Sequence, residues 1–300
     1  MVLMMKSRIR IGSRDSRLAV VQAEIIRDRI QTAHPECELE IIPMKTTGDK
    51  ILGKSLEAIG GKGLFVKELD LALQDGRIDL AVHSLKDVPM ELPNELPILA
   101  YGKREDPRDV LIYCPGLDGM PEQPLLGSSS RRRMLQIKAL YPGARFQGIR
   151  GNVQTRLKKL VDERMDATIL AAAGLNRLQM TGLAVRYFSV DEMLPAAGQG
   201  ILAVQGRRDM DVSLLQGIDD AESRVCAIAE RAFIKELDGG CTSPIAAYGE
   251  VKEGKILLRG LYYREEDGSW FKDAETGEIH KAEELGRSLA RRMRQRGCLK

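Results

Sequence analysis

Three stretches of this chain and one cysteine carry side chains of the types that do chemistry. The run Asp79-Leu-Ala-Val-His-Ser-Leu-Lys-Asp-Val-Pro places His83, Ser84, Lys86 and Asp87 directly after an apolar strand-like segment. An adjacent ammonium and carboxylate there can bind an anion and can manage a proton or a developing positive charge. A surface salt bridge in a loop would look the same, and a lone histidine beside an apolar strand is usually structural. Gly127-Ser-Ser-Ser-Arg-Arg-Arg brings backbone N–H groups, hydroxyls and guanidiniums together, and Arg150-Gly-Asn-Val-Gln-Thr-Arg repeats the pattern. Both read as anion sites at helix starts, although Ser and Asn are also plain helix caps. Cys241 follows Gly239-Gly240 and precedes Pro244. The pattern alone does not decide between a reactive thiol and a packed one. Gly60-Gly-Lys-Gly has the wrong spacing for a nucleoside-triphosphate loop or a dinucleotide fingerprint.

The charge distribution sharpens the anion reading. The 300 residues carry a formal net charge of only +3, yet positions 123–161 contain no Asp or Glu. That block holds nine basic residues: Arg131, Arg132, Arg133, Lys138, Arg145, Arg150, Arg156, Lys158 and Lys159. Across the chain Arg outnumbers Lys by 29 to 17, the bias expected where carboxylates or phosphates are held bidentately, although a solvated basic face is the plainer reading. Aromatics are 4% of the chain, with only Tyr141 and Phe146 in the block, so a base-stacking nucleic-acid platform is poorly supported. The five cysteines are odd in number and contain no Cys-x-x-Cys pair, which argues against a disulfide framework and a zinc site. No apolar run reaches the roughly 18 residues of a membrane span. The first residues lack the pattern of a secretory leader, so a cytoplasmic protein is expected.

Elements that must position these residues can be read from periodicity. Strands are expected at Arg8–Gly12, Leu39–Met44, Ile78–Val82, Val110–Tyr113, Leu125–Leu126 and Ala167–Leu170. Helices are expected over Leu18–Ile30 with Ser16 as cap, over Phe65–Gln74, and from Ser129 or Ser130 to Leu140. Asn152 should cap another helix, with Val153, Leu157, Leu160 and Val161 on one face. The alternation in the first hundred residues predicts a parallel sheet flanked by helices. Thr46–Gly63, rich in Gly and Lys, reads as a mobile loop or lid. Beyond Leu194-Pro-Ala-Ala-Gly-Gln-Gly the spacing predicts a helix over Ser223–Leu237, an antiparallel strand at Lys255–Tyr263, a turn at Gly268 and a basic helix over Ala282–Arg296.

Taken together, the chain resembles the porphobilinogen deaminase (hydroxymethylbilane synthase) family along nearly its whole length. The resemblance rests on Arg10-Ile-Gly-Ser-Arg-Asp-Ser, Gly60-Gly-Lys-Gly-Leu-Phe-Val-Lys-Glu-Leu, Ala81-Val-His-Ser-Leu-Lys-Asp-Val-Pro and Arg104-Glu-Asp-Pro-Arg-Asp. It continues through Ile149-Arg-Gly-Asn-Val-Gln-Thr-Arg-Leu, Ala173-Gly-Leu-Asn-Arg-Leu, Leu194-Pro-Ala-Ala-Gly-Gln-Gly and Gly239-Gly-Cys-Thr-Ser-Pro-Ile. It implies an α/β fold: two periplasmic-binding-protein-like α/β domains plus a smaller C-terminal α+β domain. The boundaries implied are 1–100 with 201–218, then 101–200, then 219–300, the last carrying the cofactor cysteine. The implied activity joins four porphobilinogen units head to tail on a covalent dipyrromethane cofactor, releasing ammonia and then hydroxymethylbilane. By motif position, Cys241 is the thioether attachment point.

The physics suits that chemistry. Each pyrrole carries an acetate and a propionate, so the growing chain is densely anionic. The resemblance assigns Arg132, Arg133, Ser130, Lys86 and Asp87 to the cofactor. It assigns Arg14, Ser16, Arg150, Arg156, Arg177, Lys62 and Phe65 to the substrate. Asp87 and Lys86 are the expected catalytic pair: loss of ammonia leaves an electrophilic azafulvene, and a carboxylate at Asp87 can stabilise positive charge on pyrrole nitrogen. A monomer acting on a small molecule is expected, without metal, membrane or nucleic acid. Three positions depart from the family pattern. Arg131 makes a triple arginine where an apolar residue is common, Ala58 stands where some members have a lid lysine, and Thr242-Ser243 varies the residues after the cysteine. The competing reading is a non-catalytic anion-binding protein in which Cys241 is merely structural.

Overall fold

The computed structural model describes residues 8–46, 66–117, 119–183, 185–238, 244–265 and 267–298. Of the expected site residues, Lys62, Phe65 and Cys241 lie outside them, as does the expected lid apart from Thr46, which is buried.

The first sheet begins with β1 (Arg8–Arg14), followed by α1 (Arg17–Ala33) and β2 (Glu38–Met44). Ser16 caps α1, accepting from the Ala19 N–H at 3.4 Å, and Ala23, Ile26 and Ile30 turn one face of the helix onto the sheet. Ile11, Ile26 and Ile30 are fully buried, each stabilising the fold by about 1.5–3 kcal/mol. Next come α2 (Lys67–Gln74), β3 (Leu80–Ser84) and β4 (Ile98–Tyr101). The second sheet is built from β5 (Asp109–Tyr113), β6 (Leu125–Gly127), α3 (Arg131–Leu140), β7 (Arg145–Gln147), α4 (Val153–Asp162), β8 (Ala167–Ala171), α5 (Ala172–Arg177) and β9 (Val185–Tyr187). The chain then returns to the first sheet as β10 (Leu202–Gly206).

Strand order is β2-β1-β3-β10-β4 in the first sheet and β7-β6-β8-β5-β9 in the second. The first sheet is mixed rather than purely parallel. β1 runs parallel to β2 and β3, but β10 inserts antiparallel between β3 and β4. Periodicity within the first hundred residues carries no trace of a strand contributed a hundred residues later. The third unit contains α6 (Ala221–Glu236), an antiparallel meander of β11 (Ala246–Lys252), β12 (Lys255–Tyr263) and β13 (Trp270–Glu278), and α7 (Ala282–Cys298). The two helices pack on the meander through Phe233, Leu258, Leu285, Leu289 and Met293. Gly268 has φ +70° in the β12–β13 turn.

One expected helix face differs. In α4, Leu160 is buried and Val153 and Leu157 pack against the core, but Val161 faces solvent. The basic face of α7 is covered by ion pairs: Arg291 to Glu236 at 2.8 Å, Arg292 to Asp273 at 3.3 Å and Arg287 to Glu283.

Candidate active site

The carboxyl ends of parallel strands bring together several of the expected site residues, the place where open α/β sheets bind ligands. Arg14 ends β1. Ser84 ends β3, and Leu85–Asp87 form one tight 3₁₀ turn that carries Lys86 and exposes Asp87. Gly127 ends β6, and Ser130 starts α3 without a side-chain capping bond. Arg150 follows β7, and Asn152 caps α4 by accepting from the Thr155 N–H at 2.8 Å, which orients Arg156 one turn on.

Charge couples these side chains across the two sheets. Asp87 is within electrostatic reach of Lys86 and His83 in the first unit and of Arg156 in the second. Burial pushes the Lys86 ammonium down to about 8, with Asp87 and Asp109 opposing and Arg133 and Arg132 assisting. Burial, together with Arg133 and Arg150, pushes Arg156 down to about 10 against the pull of Asp87. Its Nε donates to the Gly151 carbonyl at 2.8 Å. The site is therefore a concentration of cations held partly out of water, an arrangement that multiple carboxylates would relieve.

Arg132 and Arg133 are both buried, and they share one carboxylate. Arg133 donates to Asp109 Oδ1 at 2.7 Å and to the Ile169 carbonyl at 2.9 Å. Arg132 lies 2.8 Å from Asp109 Oδ2 and donates to the Leu194 carbonyl at 2.6 Å. Burial alone would raise the Asp109 carboxyl, but the two guanidiniums prevail and hold it down at about 2. Arg131 turns the other way, pairing with Glu265 at 2.9 Å over the Tyr263 ring.

Arg177 stands apart from this cluster. It donates to the Gly200 carbonyl at 2.6 Å, and its charged neighbours are Glu105 and Arg29. Burial pushes it down to about 10. His83 is a core histidine, buried with Nε2 3.0 Å from Gln205 Oε1. Because Gln205 Nε2 donates to the Leu96 carbonyl at 2.9 Å, its oxygen faces the ring and His83 Nε2 carries the proton. Burial holds the imidazole down to about 4, so it is neutral.

Several residues that build the site were not among the expected site residues, although Asp109 and Gln199 lie within the stretches 104–109 and 194–200 that carry the resemblance. Asp109 is the carboxylate that opens an apolar strand, and Gln199 lies between two glycines; both features are visible signals in the sequence. Glu230 and Arg231 of α6 hold the site from behind. Glu230 accepts from the Gly198 and Gly249 N–H groups at 2.7 Å each, while Arg231 donates to the Val88 and Pro89 carbonyls at 3.2 and 2.5 Å, just after the Lys86-Asp87 turn. A separate cavity of about 270 Å³, lined by residues including Leu194, Arg259 and Lys272, holds none of the site side chains.

Comparison with known proteins identifies the family. The model described as "Porphobilinogen deaminase, dipyromethane cofactor binding domain" matches residues 9–214, and "Porphobilinogen deaminase, C-terminal domain" matches residues 224–295. Porphobilinogen deaminase from Acetivibrio thermocellus is 51% identical over 286 residues, covering 95% of this chain and 98% of that protein. The Ruminiclostridium cellulolyticum protein of the same name is also 51% identical over 286 residues, covering 95% and 97%. Among solved structures, the periplasmic aliphatic sulphonate binding protein SsuA from Escherichia coli is similar at TM-score 0.43 and 13% identity, over 78% of this chain and 71% of that one.

Proposed function

The chain belongs to the porphobilinogen deaminase family, and we propose that the Lys86-Asp87 turn, facing the arginines of the second sheet, is its catalytic centre. The activity is that of hydroxymethylbilane synthase, a transferase of tetrapyrrole biosynthesis. It condenses four porphobilinogen units stepwise, releases ammonia and, after hydrolysis, yields hydroxymethylbilane. When bound, the dipyrromethane supplies the free pyrrole position from which the chain grows.

The observation that carries the residue assignment is the exposed Asp87 carboxylate set among cations whose charge is costly where it stands. The donor set suits a carboxylate-rich ligand. Arg132, Arg133, Ser130 and Lys86 would bind the cofactor's acetate and propionate groups, and Cys241 would hold it through a thioether. Arg14, Ser16, Arg150 and Arg156 would orient the incoming substrate, with Lys62 and Phe65 contributing and Arg177 acting from the end of α5. Asp87 would accept pyrrole N–H bonds, stabilising positive charge on ring nitrogen and managing the proton lost from the reacting carbon. Lys86, beside that carboxylate, would offer its own charge to substrate carboxylates.

The reading treats 1–100 with 201–218, 101–200 and 219–300 as the three domains. Free thiols at Cys37, Cys114 and Cys226 support a cytoplasmic setting, and we take the working form to be a monomer, which light scattering would check.

Intact mass under denaturing conditions, beside a Cys241→Ala control, tests the attachment. An excess equal to two linked pyrrole units, absent from the control, is expected. A mass unmodified before and after incubation with porphobilinogen would favour the non-catalytic anion-binding reading.

A further inference from the structure

Gln199 sits where the chain crosses from the second sheet back to the first, and it is buried. Its Nε2 donates to the Pro107 carbonyl at 2.6 Å and to Asp109 Oδ1 at 3.2 Å. With both acceptors on that side, the amide oxygen must point the other way, and it accepts from Lys86 Nζ at 3.3 Å. One side chain thus touches the catalytic turn of the first unit and the carboxylate that binds Arg132 and Arg133 in the second. The backbone is shaped to present it. Gly198 has φ +73°, and a Cβ there would lie 2.6 Å from Leu85 Cγ; Gly200 has φ +90°, and a Cβ would lie 2.3 Å from the Glu105 carbonyl oxygen. Neither neighbour can carry a side chain without displacing the segment.

We infer that Gln199 is a positioning residue, fixing the Lys86 ammonium against the Asp109–arginine cluster and so setting the spacing of cations from both units toward one anionic ligand. The inference rests on the proposed role of Lys86. The charged groups facing Lys86 are Asp87 from its own turn, Asp109 from β5, and Arg132 and Arg133 from α3. Of these, the two carboxylates favour its proton and the two arginines oppose it. The amide oxygen is a further acceptor for the charged form, so its removal makes the ammonium lose its proton at lower pH.

The test uses holoenzyme whose cofactor content is verified by intact mass. Gln199→Met keeps side-chain length and removes the hydrogen bonds. Loss of a hydrogen bond to a charged group predicts a fall in kcat/KM of roughly 10- to 100-fold, carried mainly by KM. The alkaline limb of the profile should move down by about half to one pH unit. Competitive acetylation of Lys86, read by peptide mass, should show the same displacement independently of turnover. In a Lys86→Met background the limb should vanish, and Gln199→Met should add less than about 2-fold. If Gln199→Met does not yield holoenzyme, Gln199→Asn, which retains the amide but falls short of Lys86, is read in the same way. An unmoved ionisation midpoint, or fully additive losses, would overturn the inference. Unchanged kcat/KM in Lys86→Met would instead overturn the role assigned to Lys86.

Discussion

The guanidinium of Arg104 lies 2.6 Å from the carboxylate of Glu230, joining the crossover between the two sheets to the helix that begins the third unit. Glu230 is fully buried, and its remaining bonds reach Gly198 on the returning crossover and Gly249 on β11. One carboxylate therefore ties both crossover segments to the meander. Burial raises its ionisation range despite the arginine beside it. The pair holds its charge only while both partners and the two N–H donors are present.

Arg104→Ala should therefore destabilise the protein by about 3–5 kcal/mol, because it strands a buried carboxylate. Replacing both members by apolar residues should cost less than Arg104→Ala alone. The single tryptophan, Trp270, lies in the third sheet, so its fluorescence in a urea titration reads this directly. Equal midpoints for Arg104→Ala and the unaltered protein would remove the tie.

His83 should not act as a titrating catalytic group. Its folded value of about 4 lies below the ordinary 6.5, so the native state binds fewer protons than the unfolded chain in that window. It contributes stability fully present above pH 6.5 and lost as pH falls toward 4, on the order of 3 kcal/mol. The kcat/KM profile should accordingly show no limb attributable to His83 near its ordinary value, and a His83→Gln variant should keep the same profile shape. A limb that disappears in that variant would contradict the assignment.

Asp87→Asn and Asp87→Ala should abolish turnover, by at least about a hundredfold, while leaving circular dichroism unchanged. The side chain is exposed at the end of a short turn, so its removal leaves no cavity. Near-normal product formation in either variant would take Asp87 out of the mechanism.

Gly200→Ala should strain the crossover twice, through φ +90° and through a contact with the Glu105 carbonyl oxygen. A loss of roughly 2–4 kcal/mol is expected from the two effects combined. Because Arg177 donates to the Gly200 carbonyl, the same change should raise KM for porphobilinogen. A thermal midpoint matching that of the unaltered protein would show that the segment yields easily.

Much of the fold and part of the site were legible in the residues. Alternating apolar runs placed most strands and helices, because burial periodicity is a local property of the chain. Ser16 and Asn152 marked helix starts because capping is decided within three residues. The acid-free block left an anionic ligand and a solvated basic face both open, and the ordered motifs named the family. Partnership over long separations was invisible. Nothing near Arg132 and Arg133 indicates that both share Asp109, over twenty residues earlier, or that Gln199 stands between Asp109 and Lys86. The insertion of β10 into the first sheet was likewise decided by tertiary packing. Sequence determined which elements form and which side chains carry charge. Only the tertiary structure decided which charges lie beside one another, because electrostatic energy depends on distance and burial, and neither is a property of position along the chain.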